Sequence, residues 1–211
     1  MTTIPLTPYS TDSDERDGIV IWIAIASVIV AYIIHQAIAP LHWEYGWIID
    51  APSAVGVYTI LRRWFSLQLW RMPLARRMNI VSIPDLNGIW AGVFASSYDE
   101  FKEERECSVE IKQNWFSMSI LYQAGKSESV SVMAGISVKN AAGPQLTYCY
   151  VNRAHYDQRL ADHDGTQSLL LSSRDGTLTL EGDYYTNRKD GQTRGHMTLR
   201  RVSAGHDEPR T

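Results

Sequence analysis

One stretch constrains this chain more than any other: the apolar run from Gly18 to Leu61, interrupted only at Pro40–Glu44. Its first arm, Gly18–Ala39, carries no Asp, Glu, Lys or Arg and places Trp22 and Tyr32 towards its two ends. At about 1.5 Å of helical rise per residue it is long enough to cross a hydrocarbon core of about 30 Å. The second arm, Trp43–Leu61, contains Asp50 and Pro52 and stops at Arg62-Arg63. The run therefore predicts two transmembrane helices over 18–61 with a short outer turn at 40–44, a buried or interfacial segment being the alternative for the second arm because its acid and proline put it near the lower limit for a span. A secretory signal is disfavoured, because the preceding tail carries Asp12, Asp14, Glu15 and Asp17 where such a signal needs positive charge.

Arginines set the expected orientation. Arg62, Arg63, Arg71, Arg76 and Arg77 follow the second arm, whereas 40–44 holds no Lys or Arg. Lys and Arg bias towards the cytoplasmic side, so both termini are expected in the cytoplasm of a two-pass inner-membrane protein. Residues 1–17 read as a disordered tail. Residues 62–84 read as a basic and aromatic connector at headgroup depth, where guanidiniums meet lipid phosphates.

From Asp85 the pattern changes to alternation. Strands are expected at 88–97, 104–113, 115–123, 128–139, 146–153, 167–173, 177–184 and 193–202. Val130, Val132, Ala134, Ile136 and Val138 share one face of such a strand. Asp175-Gly176 is a two-residue hairpin signal, and Asp190-Gly191 sits in a slightly longer turn. Eight strands joined mostly by brief turns, with no helical pattern between them, favour an eight-stranded antiparallel up-and-down β-barrel over 85–203, with a β-sandwich as the alternative. Residues 204–211 form a tail. A barrel of this size holds packed side chains or one small ligand.

The chain's 211 residues suit one such domain plus an anchor, and its formal net charge of −3 speaks against general nucleic-acid binding. Cys107 and Cys149 make neither a disulfide framework nor a metal-ligand spacing. Gly125-Lys126-Ser127 resembles the end of a phosphate loop, but it lies between strands and lacks the leading glycine. The polar stretch 155–166, with His155, Asp157, Asp162, His163 and Asp164, fits no defined cation site. No nucleophile stands in a recognisable setting. The expectation is a binding protein rather than an enzyme, without metal or cofactor.

Arginine and tyrosine gather at the strand ends of the C-terminal half. Guanidinium suits phosphate and ring faces suit bases, so Tyr150, Arg153, Tyr185, Arg188 and Arg194 are the candidate contacts to a small anionic aromatic ligand. Tyr148, Tyr150 and Asn152 share a face, from which Arg153 points away unless the strand bulges. In the membrane arm, Asp50 is costly unless paired or hydrated, and Gly46 and Gly56 permit close helix packing. These three are the candidate assembly residues.

The first barrel strand reads Asp85-Leu86-Asn87-Gly88-Ile89-Trp90-Ala91-Gly92. The last two contain Leu180-Glu181-Gly182-Asp183-Tyr184-Tyr185-Thr186-Asn187-Arg188 and Arg194-Gly195-His196-Met197-Thr198-Leu199-Arg200-Arg201. With the paired spans upstream, the chain resembles the two-transmembrane β-barrel effectors of CBASS, the cyclic-oligonucleotide-based antiphage signalling system, over nearly its whole length. That resemblance implies a cyclic dinucleotide, made by a cognate nucleotidyltransferase, as the ligand of a cytoplasmic barrel. It further implies self-association, disruption of the inner membrane and abortive infection. The Gly88-x-Trp90 opening is also the lipocalin signature, which leaves a lipocalin-like carrier of a small apolar ligand as the alternative.

Overall fold

The computed structural model describes residues 5–38, 46–125, 127–154, 163–174, 176–188 and 191–203, with backbone alone at 38, 46–53, 153–154, 174, 188 and 203. Two compact units emerge, Ser13–Ser82 on one side and Met1–Asp12 with Ile83–Thr211 on the other.

The helical unit contains α1 (Glu15–Ile38), α2 (Gly46–Leu67), a 3-10 turn at Leu69–Arg71 and α3 (Pro73–Arg77). Among the described residues α1 is the one helix long and apolar enough to cross a membrane. Trp22, Ile21, Val28 and Ile33 are exposed on it, an apolar surface that water does not favour. Its one buried hydroxyl is satisfied locally, Ser27 Oγ donating to Ala24 O at 2.7 Å. α2 packs against α1 but runs past Arg62-Arg63 to Leu67, further than the sequence suggested. Gly46 and Asp50 fall in its first turns, and their side chains lie outside the described residues, as does the expected outer turn 40–44. The connector is less uniform than a helical continuation, because Pro73 restarts the chain as α3 at its first turn. Ser82, the last residue of the helical unit, is pinned back to the start of α1, where the Glu15 carboxylate accepts its N–H at 2.9–3.0 Å.

Alternation closes the other unit. Strands β3 (Gly88–Ser96), β4 (Arg105–Gln113), β5 (Ser117–Ala124), β6 (Ser127–Ser137), β7 (Gln145–Ala154), β8 (His163–Arg174), β9 (Thr177–Arg188) and β10 (Gly191–Ser203) form an antiparallel meander. β10 pairs with β3, and β5 pairs with β6, so the eight-stranded barrel is complete. β8 starts at His163 rather than near Gln167. Gly165, which resembles a loop residue in sequence, lies within the strand opposite Tyr150.

Part of the expected disordered tail is ordered instead. Residues 1–17 are not simply a tail, since β1 (Thr7–Pro8) pairs antiparallel with β5 and β2 (Ser10–Thr11) pairs parallel with β6. β5 and β6 pair with each other only from Leu121 opposite Val130 to Ala124 opposite Ser127. Beyond that they part, and the Ser131 Oγ takes the Ile120 N–H at 2.9 Å in place of a ladder bond. The N-terminal strap fills this split, with Tyr9 only 3% exposed. The strap comes close to β6 at Gly135, where a Cβ would stand 2.6 Å from Ser10 Oγ and turn that hydroxyl aside.

The strap ends on Asp12, whose carboxylate accepts from Ser137 Oγ (2.5 Å), Val138 N (2.7 Å) and Lys139 N (3.2 Å). The Ser137 hydroxyl, then the backbone N–H groups, hold its pKa below the ordinary value of 3.8. Its contribution to stability is therefore full above that value and is lost as pH falls through the lower folded pKa. Asp12→Ala should melt below the native chain at neutral pH, and the two melting curves should converge as pH drops below 3.8. Parallel curves across that range would show that the carboxylate contributes nothing.

Candidate functional site

The strap end of the barrel is solid. Trp90, Trp115, Leu86, Ile111, Met118 and Ile120 are fully buried there. Gln113 knots this floor: its Oε1 accepts from Leu86 N at 2.8 Å, and its backbone N–H donates to Asn87 Oδ1 at 2.7 Å. Trp90 Nε1 donates to Leu86 O at 2.9 Å, and Arg201 lies over the Trp90 ring at 5.6 Å. The Asp85–Trp90 segment thus acts as a plug.

Above the plug the barrel opens into a cup of about 610 Å³, within the range typical of small-molecule sites. Inward alternation on four strands, β3, β5, β7 and β9, brings together the rings of Phe94, Tyr122, Tyr148, Tyr150 and Tyr184. Phe94 meets Tyr122 and Tyr184 edge-on at 6.1 and 6.2 Å, and Tyr148 tilts against Tyr150 at 6.1 Å. Tyr150 and Tyr184 lie across Gly165 and Gly195, their partners on the neighbouring strands, where any Cβ would overlap the ring.

Apart from Arg105 and Glu106, the polar groups lining the cup are neutral and mostly partnered. Asn152 Nδ2 donates to Ser127 Oγ at 2.6 Å and Ser129 Oγ at 2.8 Å. Tyr148 Oη donates to Gln167 Oε1 at 2.7 Å, and Gln167 Nε2 donates to the Met197 thioether at 3.1 Å. Thr186 and Thr193 share a hydrogen bond. Burial raises the Tyr122 and Tyr148 hydroxyls well above the usual phenol range, so both remain neutral donors. Burial also pushes the Cys107 thiol up to about 12, which leaves it a protonated apolar group. Cys149 is half-buried, and both cysteines are free.

The sequence candidates are distributed unevenly. Tyr150 lines the cup. Tyr185 (49% exposed) and Arg194 are paired across β9 and β10 on the outer face. Arg153 stands opposite Glu128 and Arg188 opposite Gly191 in the ladders, and both side chains lie outside the described residues. Residues 155–162 are also outside them, and no group of His, Cys, Asp or Glu among the described residues could hold a metal ion. Phe94, Tyr122 and Arg105 line the cup without having been singled out in sequence. Parity alone could have found Arg105, since it precedes Cys107, Val109 and Ile111 on the inward face of β4.

A closed barrel with an apolar plug and an aromatic, hydrogen-bonding cup defines a receptor for one small, ring-bearing, polar ligand. Residues 81–201 match the family model for the Cap15 cyclic dinucleotide receptor domain. That match spans more than half of the chain, which therefore belongs to this family of CBASS membrane effectors. No curated protein matches the chain.

Proposed function

We propose that the chain is a CBASS effector that binds a cyclic dinucleotide in this cup, self-associates and disrupts the bacterial inner membrane, so that an infected cell dies before phage release. The observation that carries the reading is the cup, whose described residues supply five rings for two bases, neutral donors for ribose and phosphodiester oxygens, and one inward arginine, in a chain of this family. A carrier of apolar ligands would have little use for Asn152, Gln167, Thr186 and Thr193 lining or underlying its cavity.

On this reading α1 and α2 cross the membrane as a two-pass anchor with both termini in the cytoplasm, and lipids are their partners. The protein performs no catalysis and uses no cofactor. Self-association uses Gly46, Asp50 and Gly56. A Cβ at Gly56 would meet nothing within 4 Å, so this side of α2 is open to a second copy. The ligand drives assembly only insofar as it binds the assembled state more tightly.

Calorimetry of the full chain in detergent, titrated with cyclic di-AMP, cyclic di-GMP, cyclic GMP–AMP and mixed pyrimidine–purine forms, tests the receptor. Dye release from vesicles containing the chain tests the output. Saturable binding of one form, with release that depends on the same form, is expected. Heat with none of them and binding of a fatty acid instead would return the case to the lipocalin-like alternative.

A further inference from the structure

Arg105 is the one cationic side chain among the described residues lining the cup, at the rim and on the inward face of β4. Its register partner is Phe94, the ring that meets both Tyr122 and Tyr184. The guanidinium is already engaged: Arg105 Nη2 lies 2.8 Å from Asp99 Oδ2 and 3.6 Å from Glu103 Oε2.

The Asp99 end of this pair is poorly satisfied. Its second oxygen, Oδ1, is buried without a hydrogen-bond partner among the described residues, which is costly for a carboxylate. Asp99 closes a 3-10 turn, Ser97–Asp99, that also carries the rim residue Tyr98. The two residues that follow, Glu100 and Phe101, both adopt left-handed backbone with φ of 60° and 63°. Non-glycine residues seldom take that conformation, because it crowds the Cβ against the following carbonyl oxygen. The loop is thus held in a strained form that presents a carboxylate to the one arginine among the described residues of the cup.

We infer that Arg105 is the phosphate-recognising residue of the cup and that Asp99 occupies its place until ligand arrives, so that binding exchanges a carboxylate for a phosphodiester on one guanidinium. The inference rests on the receptor reading above. Guanidinium suits both partners, because its planar fork pairs with carboxylate and phosphate oxygens alike. Exchange also confers selectivity. A free phosphate competes with Asp99 on charge alone, whereas a dinucleotide adds ring contacts within the cup to the same phosphate contact. Affinity for the ligand is then set by the difference between the two partners of Arg105 rather than by the new contact alone.

The test is calorimetry on the full chain in detergent with the same cyclic dinucleotides, comparing native protein with Asp99→Asn, Arg105→Gln, Arg105→Lys and the double variant Asp99→Asn/Arg105→Gln. Asp99→Asn should tighten binding about threefold to tenfold, and Arg105→Gln should weaken it at least about tenfold. Arg105→Lys should recover part of the loss, since it keeps the charge without the fork. The double variant should bind like Arg105→Gln, because the gain from Asp99→Asn exists only while Arg105 is present. Tightening by Asp99→Asn that persists without Arg105 overturns the exchange. So does an Arg105→Gln variant within twofold of native affinity while the native chain binds. If the native chain binds no cyclic dinucleotide, the receptor reading falls and takes the exchange with it.

Discussion

Gly195→Ala should lower the melting temperature of the barrel by roughly 6–12 °C, the equivalent of about 3 kcal/mol in a chain of this size. The methyl would have to occupy space already held by the Tyr184 ring and by the Ala95 carbonyl oxygen. A ring can turn, but Ala95 belongs to the β3–β10 ladder opposite His196, and moving it breaks the barrel wall. Whatever relief the ring finds must come at the expense of the cup, because Tyr184 is already edge-on to Phe94 at 6.2 Å. Stability and ligand affinity should therefore fall together. Gly56→Ala is the control, as a Cβ there meets nothing within 4 Å. It should be neutral or stabilising by up to about 1 kcal/mol through helix propensity. Tryptophan fluorescence melts of the two variants measure the difference, and a Gly195→Ala melt matching the native one would mean that Tyr184 does not lie across this position.

The same crowding explains which parts of the structure were readable from residues alone. Period-two patterning carries the barrel because each strand buries one face, and Ile136, Leu146, Leu180 and Leu199 occupy that face as alternation requires. The cup was partly readable for the same reason, since Tyr148, Tyr150 and Asn152 share a parity and all turn inward. Choosing residues by strand-end chemistry without parity picks Tyr185 and Arg194, whose register sets them opposite each other on the outside. Arg105 was hidden by its neighbours: amid Glu103, Glu104 and Glu106 it reads as a solvated charge run, and only the three buried residues after it reveal its direction. The strap was hidden more deeply. Its strands are two residues each and show no period, and their partners lie more than a hundred positions away, as in the Thr7 Oγ1 to Met118 O hydrogen bond with its separation of 111.

Tyr9→Ala should destabilise the barrel by about 3–5 kcal/mol, the usual cost of truncating a buried aromatic ring. Tyr9 is 3% exposed and bridges the split where β5 and β6 no longer pair, and its hydroxyl accepts from Gln113 Nε2 at 3.3 Å. Its removal leaves a cavity between two strands whose mutual ladder covers only Leu121–Ala124, at the rim. The lower halves would then carry unpaired N–H and C=O groups on two facing edges, a template for pairing with other chains. Hydrogen exchange should accordingly quicken at Ile120 and Gly135 before the rest of the barrel, and the variant should aggregate on warming. Tyr9→Phe keeps the ring and should lose only about 1 kcal/mol with the hydrogen bond. A fragment beginning at Asp85 lacks the whole strap and should melt below the full chain, even though it retains all eight strands. Asp12, the last anchored residue of the strap, is separated from Glu15 at the start of α1 by only Ser13 and Asp14. The seam between β5 and β6 and the mouth of the cup belong to the same two strands, since Ala124 and Ser127 at the rim end of their ladder line the cup. An equal melt for Tyr9→Ala and the native chain would show that the strap merely rests on the barrel, and the seam would then have to be held shut by its rim ladder alone.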